Sequence, residues 1–307
     1  MRGNVSRQFL VILSLSLVCL VLPLSYTVLL WRARGKSRLS WIVRLLTACA
    51  VVLLVLLIGR WDVLGYYTRF LLAGLLALAA LASWQRHCRL PKIVPSDRPY
   101  WRHYGSDALV LAILIGMLGR VGMGFLPSRE AVPLGFPLQD GWFMVGQGGN
   151  STLINYHNSH PTQQYALDIS ALNRFGFRAD GILPSDLNRY EIFEKPVVAP
   201  CDGTVHATRD GLADLTPPQR DPENVMGNHV VITCGDVDVA IAHLRNGSLA
   251  MEAGDPVSSG QVVGAVGNSG NTTEPHIHIH AVHRDTGAAI PILFDERFLV
   301  RNAATTP

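Results

Sequence analysis

Three histidines occupy alternate positions in His276-Ile-His278-Ile-His280, after a loop running Asn268-Ser-Gly-Asn-Thr-Thr-Glu274-Pro. Period-two alternation is the mark of a β-strand, because successive side chains point to opposite faces. His276, His278 and His280 therefore share one face, while Ile277 and Ile279 fill the other. Strand rise puts neighbouring imidazoles roughly 6.5–7 Å apart, too far for a mutual hydrogen bond. The spacing suits one imidazole holding a metal and its neighbour directed at a water or a substrate oxygen. The plainer origin of such a tract is adventitious metal binding, or half-buried polar residues on a strand.

A catalytic zinc site takes three protein ligands and keeps one position open. Two imidazoles and a carboxylate make such a set, and the ion brings its water near ionisation at neutral pH. Two more histidines would stabilise an oxyanion and move protons. His157, His160, His206, His229, His243 and Asp168 compete for these roles.

The elements that must position them lie after about Ser128, where Gly, Pro, Asn and Asp become frequent and apolar runs shorten. Short strands are expected at Ser151–Tyr156, Tyr165–Ser170, Val197–Ala199, Thr204–Ala207, His229–Cys234, Val237–Leu244, Gln261–Val266 and Pro275–Val282. This is an all-β domain, an antiparallel sheet or sandwich, over residues 128–307. Pro133-Leu-Gly-Phe-Pro137 and Gly146-Gln-Gly-Gly-Asn150 read as turns. Residues 209–227, with Pro217-Pro218 and Pro222, form an exposed loop that is either a lid or groove wall, or a tolerated surface insertion.

Residues 1–127 differ in kind. Charged residues make up 16% of the 307-residue chain, and the long apolar runs fall in this half. Four apolar stretches, about 9–31, 41–59, 64–84 and 108–126, suit an α-helical transmembrane domain. The last carries Arg120 and four glycines, so the position of Arg120 near the interface matters. Arg2 and Arg7 precede the first stretch, yet no small-residue cleavage site follows it. Arg32, Arg34, Lys36 and Arg38 crowd the first connection, and Arg86, Arg89, Lys92, Arg98 and Arg102 the third. The positive-inside rule makes both cytoplasmic. The amino terminus, the connection near Arg60 and everything after the fourth span are then extracytoplasmic. No acidic or histidine residue sits mid-span, so the region reads as an anchor in the lipid bilayer.

The net charge of +3 and the lack of a basic stripe interleaved with aromatics exclude nucleic acid as a partner. Of five cysteines, none forms a CxxC. Cys201 and Cys234 could pair in an oxidising compartment, but buried free thiols are the plainer expectation.

Five blocks, in order, resemble the M23 (lysostaphin/LytM-type) zinc metallopeptidases. They are Asn155-Tyr-His157 with Gln164-Tyr-Ala-Leu-Asp168, Ala199-Pro-Cys-Asp-Gly203-Thr-Val205, and Gly227-Asn-His-Val-Val-Ile232. Ile241-Ala-His243-Leu244 follows, then the glycine turns 254–272 leading to Glu274-Pro-His276-Ile-His278. The resemblance spans about residues 133–285 and leaves the membrane half unmatched. It implies zinc held by His157, Asp168 and His278, with His243 and His276 as the catalytic pair. His280 stands where the family often has an acidic residue, which suits a group behind a ligand. The first block departs from the common form, since Gln164 occupies the usual histidine place. His157 is then the first ligand, with His160 the alternative. The resemblance further implies an endopeptidase acting on the peptides of bacterial cell-wall peptidoglycan, held on the outer side of the cytoplasmic membrane, with any regulatory membrane partner unspecified. Two other classes remain. One is a non-catalytic M23-like module that binds wall peptide or activates a partner hydrolase. The other is a lipoyl-like carrier, which needs an acceptor lysine at a hairpin tip and finds only Lys195-Pro196.

Overall fold

A computed structural model describes residues 10, 13–35, 37–93 and 100–307. Arg2, Arg7, Phe9, Lys36 and Arg98 lie outside the described residues. The chain divides into two compact units, residues 1–61 with 67–122, and residues 62–66 with 123–307. The segment Asp62–Tyr66 thus belongs to the second unit although it is flanked in sequence by helices of the first.

The first unit is helical. Leu13–Trp31 (α1), Arg38–Ile58 (α2), Thr68–His87 (α4) and, from Ser106 to Met123, the end of Tyr100–Met123 (α5) are long and apolar enough to cross a membrane. The short helix Trp61–Leu64 (α3) lies between α2 and α4. Leucines and other large apolar side chains such as Leu71, Leu78 and Leu109 are exposed, as they are on a helix that faces lipid. Where helices meet, polar groups are paired: Trp41 Nε1 donates to Ser83 Oγ at 2.9 Å. Ser37 caps α2 by accepting from the Ser40 N–H at 3.2 Å, which satisfies one of the orphan donors of the first turn.

The second unit is built of strands. They are β1 Val132–Pro133, β2 Trp142–Gln147, β3 Leu167–Leu172, β4 Pro196–Val198, β5 Gly203–Arg209, β6 Asn228–Cys234 and β7 Val237–Leu244. After these come β8 Pro256–Val257, β9 Val262–Ala265, β10 Ile277–His283, β11 Ala289–Ile290, β12 Ile292–Phe294, β13 Arg297–Phe298 and β14 Ala304–Thr305. The main sheet has the order β14-β2-β3-β10-β7-β6-β5-β8, with β11 beside β10. Its pairings are antiparallel. Two small sheets, β1-β12-β13 and β4-β9, add residues to the same core. Only β1 and β12 pair in parallel among the described strands.

The core lies on one face of the main sheet. Val145, Ile169, Ile232, Val239, Ile241, Ile277 and Ile279 pack there with Val197, Val263 and Ile292 from the small sheets. The alternation in β10 thus works as expected: its isoleucines fill the core and leave the opposite face to histidine. His276 lies one residue before the strand, at the end of the glycine-rich loop.

Several sequence expectations need correction. Ser151–Tyr156 is a turn followed by a 3₁₀ helix at Tyr156–Ser159, not a strand. The central strand β2 went unnoticed because its end merges with the Gly146–Asn150 turn signal. Cys201 and Cys234 form a disulfide rather than two free thiols, with Cα atoms 5.9 Å apart. The cause is register: Thr204 faces Thr233 across β5 and β6, so the two cysteines meet at one end of that hairpin.

Candidate metal centre

Strand register creates the centre. β3 and β10 run antiparallel with Asp168 directly opposite His278, and directly opposed side chains on one face come within about 5 Å. His278 Nδ1 lies 3.0 Å from Asp168 Oδ1. The third donor comes from the 3₁₀ turn, where His157 Nε2 lies 3.0 and 3.1 Å from the two Asp168 oxygens. Asn155 builds that turn. Its Oδ1 accepts from the His157 N–H at 3.2 Å, and its Nδ2 donates to the carbonyls of Gly149 and Ala166 at 3.0 and 3.1 Å. The N-x-H pattern is therefore a local device, an amide that folds the backbone and leaves the histidine buried against Asp168.

One donor atom from each of His157, Asp168 and His278 lies within 4.8 Å of the others. His160 is exposed on the cleft wall, outside this cluster. Gln164 turns away, its Nε2 donating to Asn150 Oδ1 at 3.3 Å. His206 is exposed on β5, and His229 turns its Nδ1 to the Gly227 carbonyl at 2.8 Å.

His243 and His276 flank the cluster, their ring centroids 4.9 Å apart. Each presents Nδ1 to a backbone carbonyl, His243 to Ser269 and His276 to Glu274, both at 2.9 Å. A carbonyl can only accept, so Nδ1 carries the proton, and in the neutral ring Nε2 keeps its lone pair. The Nε2 of His276 is 3.6 Å from Asp168 Oδ1. His243 sits at φ +65, a conformation L-residues rarely adopt. Its N–H is held by the Met226 carbonyl at 3.0 Å.

The expected isolation of the strand histidines does not hold. His278 Nε2 and His280 Nδ1 are 3.0 Å apart. Cα spacing follows strand rise, but two rings leaning along the strand close the gap. With an ion on Nδ1 of His278, Nε2 must bear the proton and donate to His280.

Electrostatics agree with a cationic guest. Burial would raise the Asp168 carboxyl, yet His157 and His276 outweigh it and hold it well below the usual range. Burial pushes His243 down, reinforced by His276 and His278. Burial likewise lowers His278 against the pull of Asp168, and it lowers His280 to about 3 with help from His278 and His157. His276 goes the other way, because Asp168 and the Glu274 carbonyl overcome its burial. An ionised Asp168 and a His278 ring that burial disfavours from protonating are states a divalent metal requires of its ligands. The donor set thus fits zinc: two imidazoles, one carboxylate, and an outer acceptor that fixes a ligand's tautomer.

A cleft of about 410 Å³ opens at the centre, lined by Tyr156, His157, His160, Gln163, Val225, Met226, His243, Asn271 and His278. The 209–227 segment contributes Val225 and Met226, so its far end is groove wall rather than a free insertion. It is anchored by Leu215 N–H to the Asn268 carbonyl at 3.0 Å and by Asn228 Nδ2 to the Leu212 carbonyl at 2.8 Å. Sequence reading assigned no role to Tyr156, whose ring centroid is 3.9 Å from that of His157. Burial, then Asp168, raises its phenol. Only its position inside N-x-H hinted at this.

The all-β unit thus carries a His/Asp/His donor cluster beside an open cleft. Residues 190–290 match the model of peptidase family M23, covering His243, His276 and His278 but not His157 or Asp168. No curated protein matches the sequence. Among solved structures the chain is similar to a mutant catalytic domain of the prophage-encoded M23 protein EnpA from Enterococcus faecalis. That match has 20% identity over 41% of this chain and 72% of that one, with TM-score 0.28. It is also similar to a zinc containing peptidase from Vibrio cholerae, with 17% identity, 58% and 41% coverage and TM-score 0.32. A third is the catalytic domain of lysostaphin from Staphylococcus simulans, with 20% identity, 35% and 83% coverage and TM-score 0.25. The chain spans less than half the length of the Vibrio relative.

Proposed function

We propose that this chain is a membrane-anchored zinc endopeptidase that hydrolyses peptide bonds of bacterial cell-wall peptidoglycan, its β unit facing the extracytoplasmic side of the cytoplasmic membrane. The observation that carries the reading is the register of β3 against β10. It seats Asp168 opposite His278, with His157 Nε2 3.0 Å from the carboxylate.

His157, Asp168 and His278 would hold the ion, which when bound supplies Lewis-acid chemistry. The rest is the work of this chain's own groups. His243 lines the cleft and His276 Nε2 lies 3.6 Å from Asp168 Oδ1, the Nδ1 protons of both committed to backbone carbonyls. His276, favoured in its protonated form, is suited to donate to a developing oxyanion. His243, kept neutral by burial, is suited to accept a proton at Nε2 and return it to the leaving amine. The cleft is open along the walls formed by Gln163 and Val225, which suits an extended peptide. A module that only binds would be expected to lack part of the donor set, whereas all three donors and both flanking histidines are here.

The location rests on three supports. Basic residues crowd the α1–α2 and α4–α5 connections. The Cys201–Cys234 disulfide belongs in an oxidising compartment. Asp62–Tyr66, in the connection between α2 and α4, is part of the β unit, so α4 and α5 must cross the bilayer together or not at all.

The test uses the full chain in detergent or nanodiscs: zinc content by atomic spectroscopy and muropeptide release by mass spectrometry, beside His278→Ala and Asp168→Ala. One zinc per chain and release abolished in both variants is the expected result. Release by both variants at the wild-type level sinks the metallohydrolase reading.

A further inference from the structure

The second unit contains a buried charge cluster that the centre itself does not use. Asp62 and Arg178 are only 2% and 3% exposed. Asp62 Oδ2 lies 3.6 Å from Arg178 Nε, a Coulombic contact rather than a hydrogen bond. Arg178 Nη2 donates to Glu274 Oε2 and, at 2.9 Å, to the Ile182 carbonyl. The backbone joins in: Arg178 N–H donates to the Asp62 carbonyl and Tyr66 N–H to the Gly176 carbonyl, both at 2.9 Å.

The seat for this connector is shaped on both sides by glycine. A Cβ on Gly176 would lie 2.6 Å from the Tyr66 Cβ, and one on Gly65 would lie 2.8 Å from the Phe177 ring. Tyr66 also packs edge-on against Trp142 of β2, with centroids 4.8 Å apart. Close backbone approach of this kind requires glycine.

Glu274 links the cluster to the chemistry. Its carbonyl accepts from His276 Nδ1 at 2.9 Å and from Thr272 Oγ1 at 2.7 Å. Its side chain is the one Arg178 grips. A buried guanidinium between two carboxylates is stable only with its counter-charges in place. Displacing Asp62 therefore frees Arg178 to shift, and Glu274 and the His276 ring move with it.

We propose that Arg178 is a positioning residue for His276, and that the Asp62–Tyr66 connector supplies the counter-charge that keeps it in position. The site is complete only when the connector between the second and third long helices is seated. For catalysis this rests on the peptidase reading above; for structure it does not.

The experiment compares the full chain in nanodiscs with Asp62→Asn, Glu274→Gln and the double variant. Amide exchange of residues 271–276 is read first, with β5 and β6 as internal control. Asp62→Asn should speed exchange at 271–276 about tenfold with the control strands and zinc content unchanged, and lower kcat about tenfold with KM within about twofold. The double variant should fall little further, because both changes act through Arg178. Unchanged exchange at 271–276, or fully additive effects, overturns the proposal. If Asp62→Asn unfolds the control strands as well, Tyr66→Ala, which removes no charged group, takes its place under the same criterion. A wild-type chain that holds zinc but releases no peptide removes the hydrolase reading, and the exchange result then decides this one alone.

Discussion

His278 Nε2 and His280 Nδ1 lie 3.0 Å apart, so the residue after next in the strand governs which nitrogen of His278 is offered to Asp168 and a metal. His280 can serve only as a neutral acceptor, and burial keeps it neutral, lowered to about 3. His280→Ala removes the acceptor and frees the His278 ring. Zinc affinity should fall about 10- to 100-fold. His280→Gln, which retains a side-chain acceptor, should lose less. A competition titration against a chromophoric chelator reads both, and equal affinities in all three proteins would show His280 to be a spectator.

The three donors are not equivalent. Asp168 is the one group close to both partners, 3.0 Å from His157 Nε2 and from His278 Nδ1. Asp168→Ala should therefore abolish metal binding. His160→Ala, on the cleft wall, should leave metal content intact and alter only KM. Should His160→Ala instead strip the zinc while His157→Ala keeps it, the assignment of ligands must be exchanged.

The contrast between these residues shows what a sequence can disclose. The His276–His280 tract was legible because period two and burial of Ile277 and Ile279 follow from strand geometry alone. Asp168 was singled out by the resemblance of Asn155-Tyr-His157 and Gln164-Tyr-Ala-Leu-Asp168 to an M23 motif, although the turn that Asn155 folds was mistaken for a strand. The hydrogen bond between His278 and His280 was not, since ring rotamers lie outside any periodicity argument. Nor was the Asp62–Arg178–Glu274 cluster. Its members are far apart in the chain, Asp62 and Arg178 belong to no motif, and Asp62 lies in the very short connection between two apolar stretches.

Acid should destabilise the metal-free protein. His243, His278 and His280 are all lowered from 6.5 by burial. Their unfolded forms take up protons below about pH 6.5 while the folded forms do not. Stability present above that pH is therefore lost as pH falls toward about 3, the value to which His280 is lowered. His276, raised chiefly by Asp168 against its burial, works oppositely: its contribution is full below 6.5 and fades as pH rises through its folded value. The melting temperature of chelator-treated protein should thus crest near pH 6.5 and decline on the acid side. His280→Gln should make the acid limb shallower. A melting temperature that climbs steadily from pH 6.5 to 4 would contradict the burial of these rings.

The Cys201–Cys234 bridge closes a loop with a sequence separation of 33. On chain-entropy grounds a loop of that size is worth about 3–4 kcal/mol. Reduction, or the paired Cys201→Ser and Cys234→Ser change, should lower the unfolding free energy by that amount, read by denaturant titration. Zinc content should persist at temperatures where the domain stays folded. Cys19, Cys49 and Cys88 are not in a disulfide, so the double serine variant under non-reducing conditions is the cleaner comparison. A variant as stable as the parent would mean that the bridge adds nothing to the β5–β6 hairpin.

Membrane topology follows from the connector. Asp62 and Arg178 are in ion-pair contact at 3.6 Å, so the α2–α4 connection and the β unit share one side of any bilayer the helices cross. In the proposed topology the basic connections Arg32–Arg38 and Arg86–Lys92 are inside, which would put that shared side outside. A periplasm-dependent phosphatase reporter fused after Pro307 should be active, and one fused after Arg34 or after Lys92 in truncated chains should be silent. Breaking the fourth helix by placing two arginines at Ile113 and Gly116 should reverse the Pro307 fusion, because two central charges cost about 5–7 kcal/mol on insertion scales. It should also cost the chain its zinc-dependent activity, since the connector and the β unit would then be on opposite sides. Retained activity together with a reversed reporter would show that Asp62 and Arg178 need not meet.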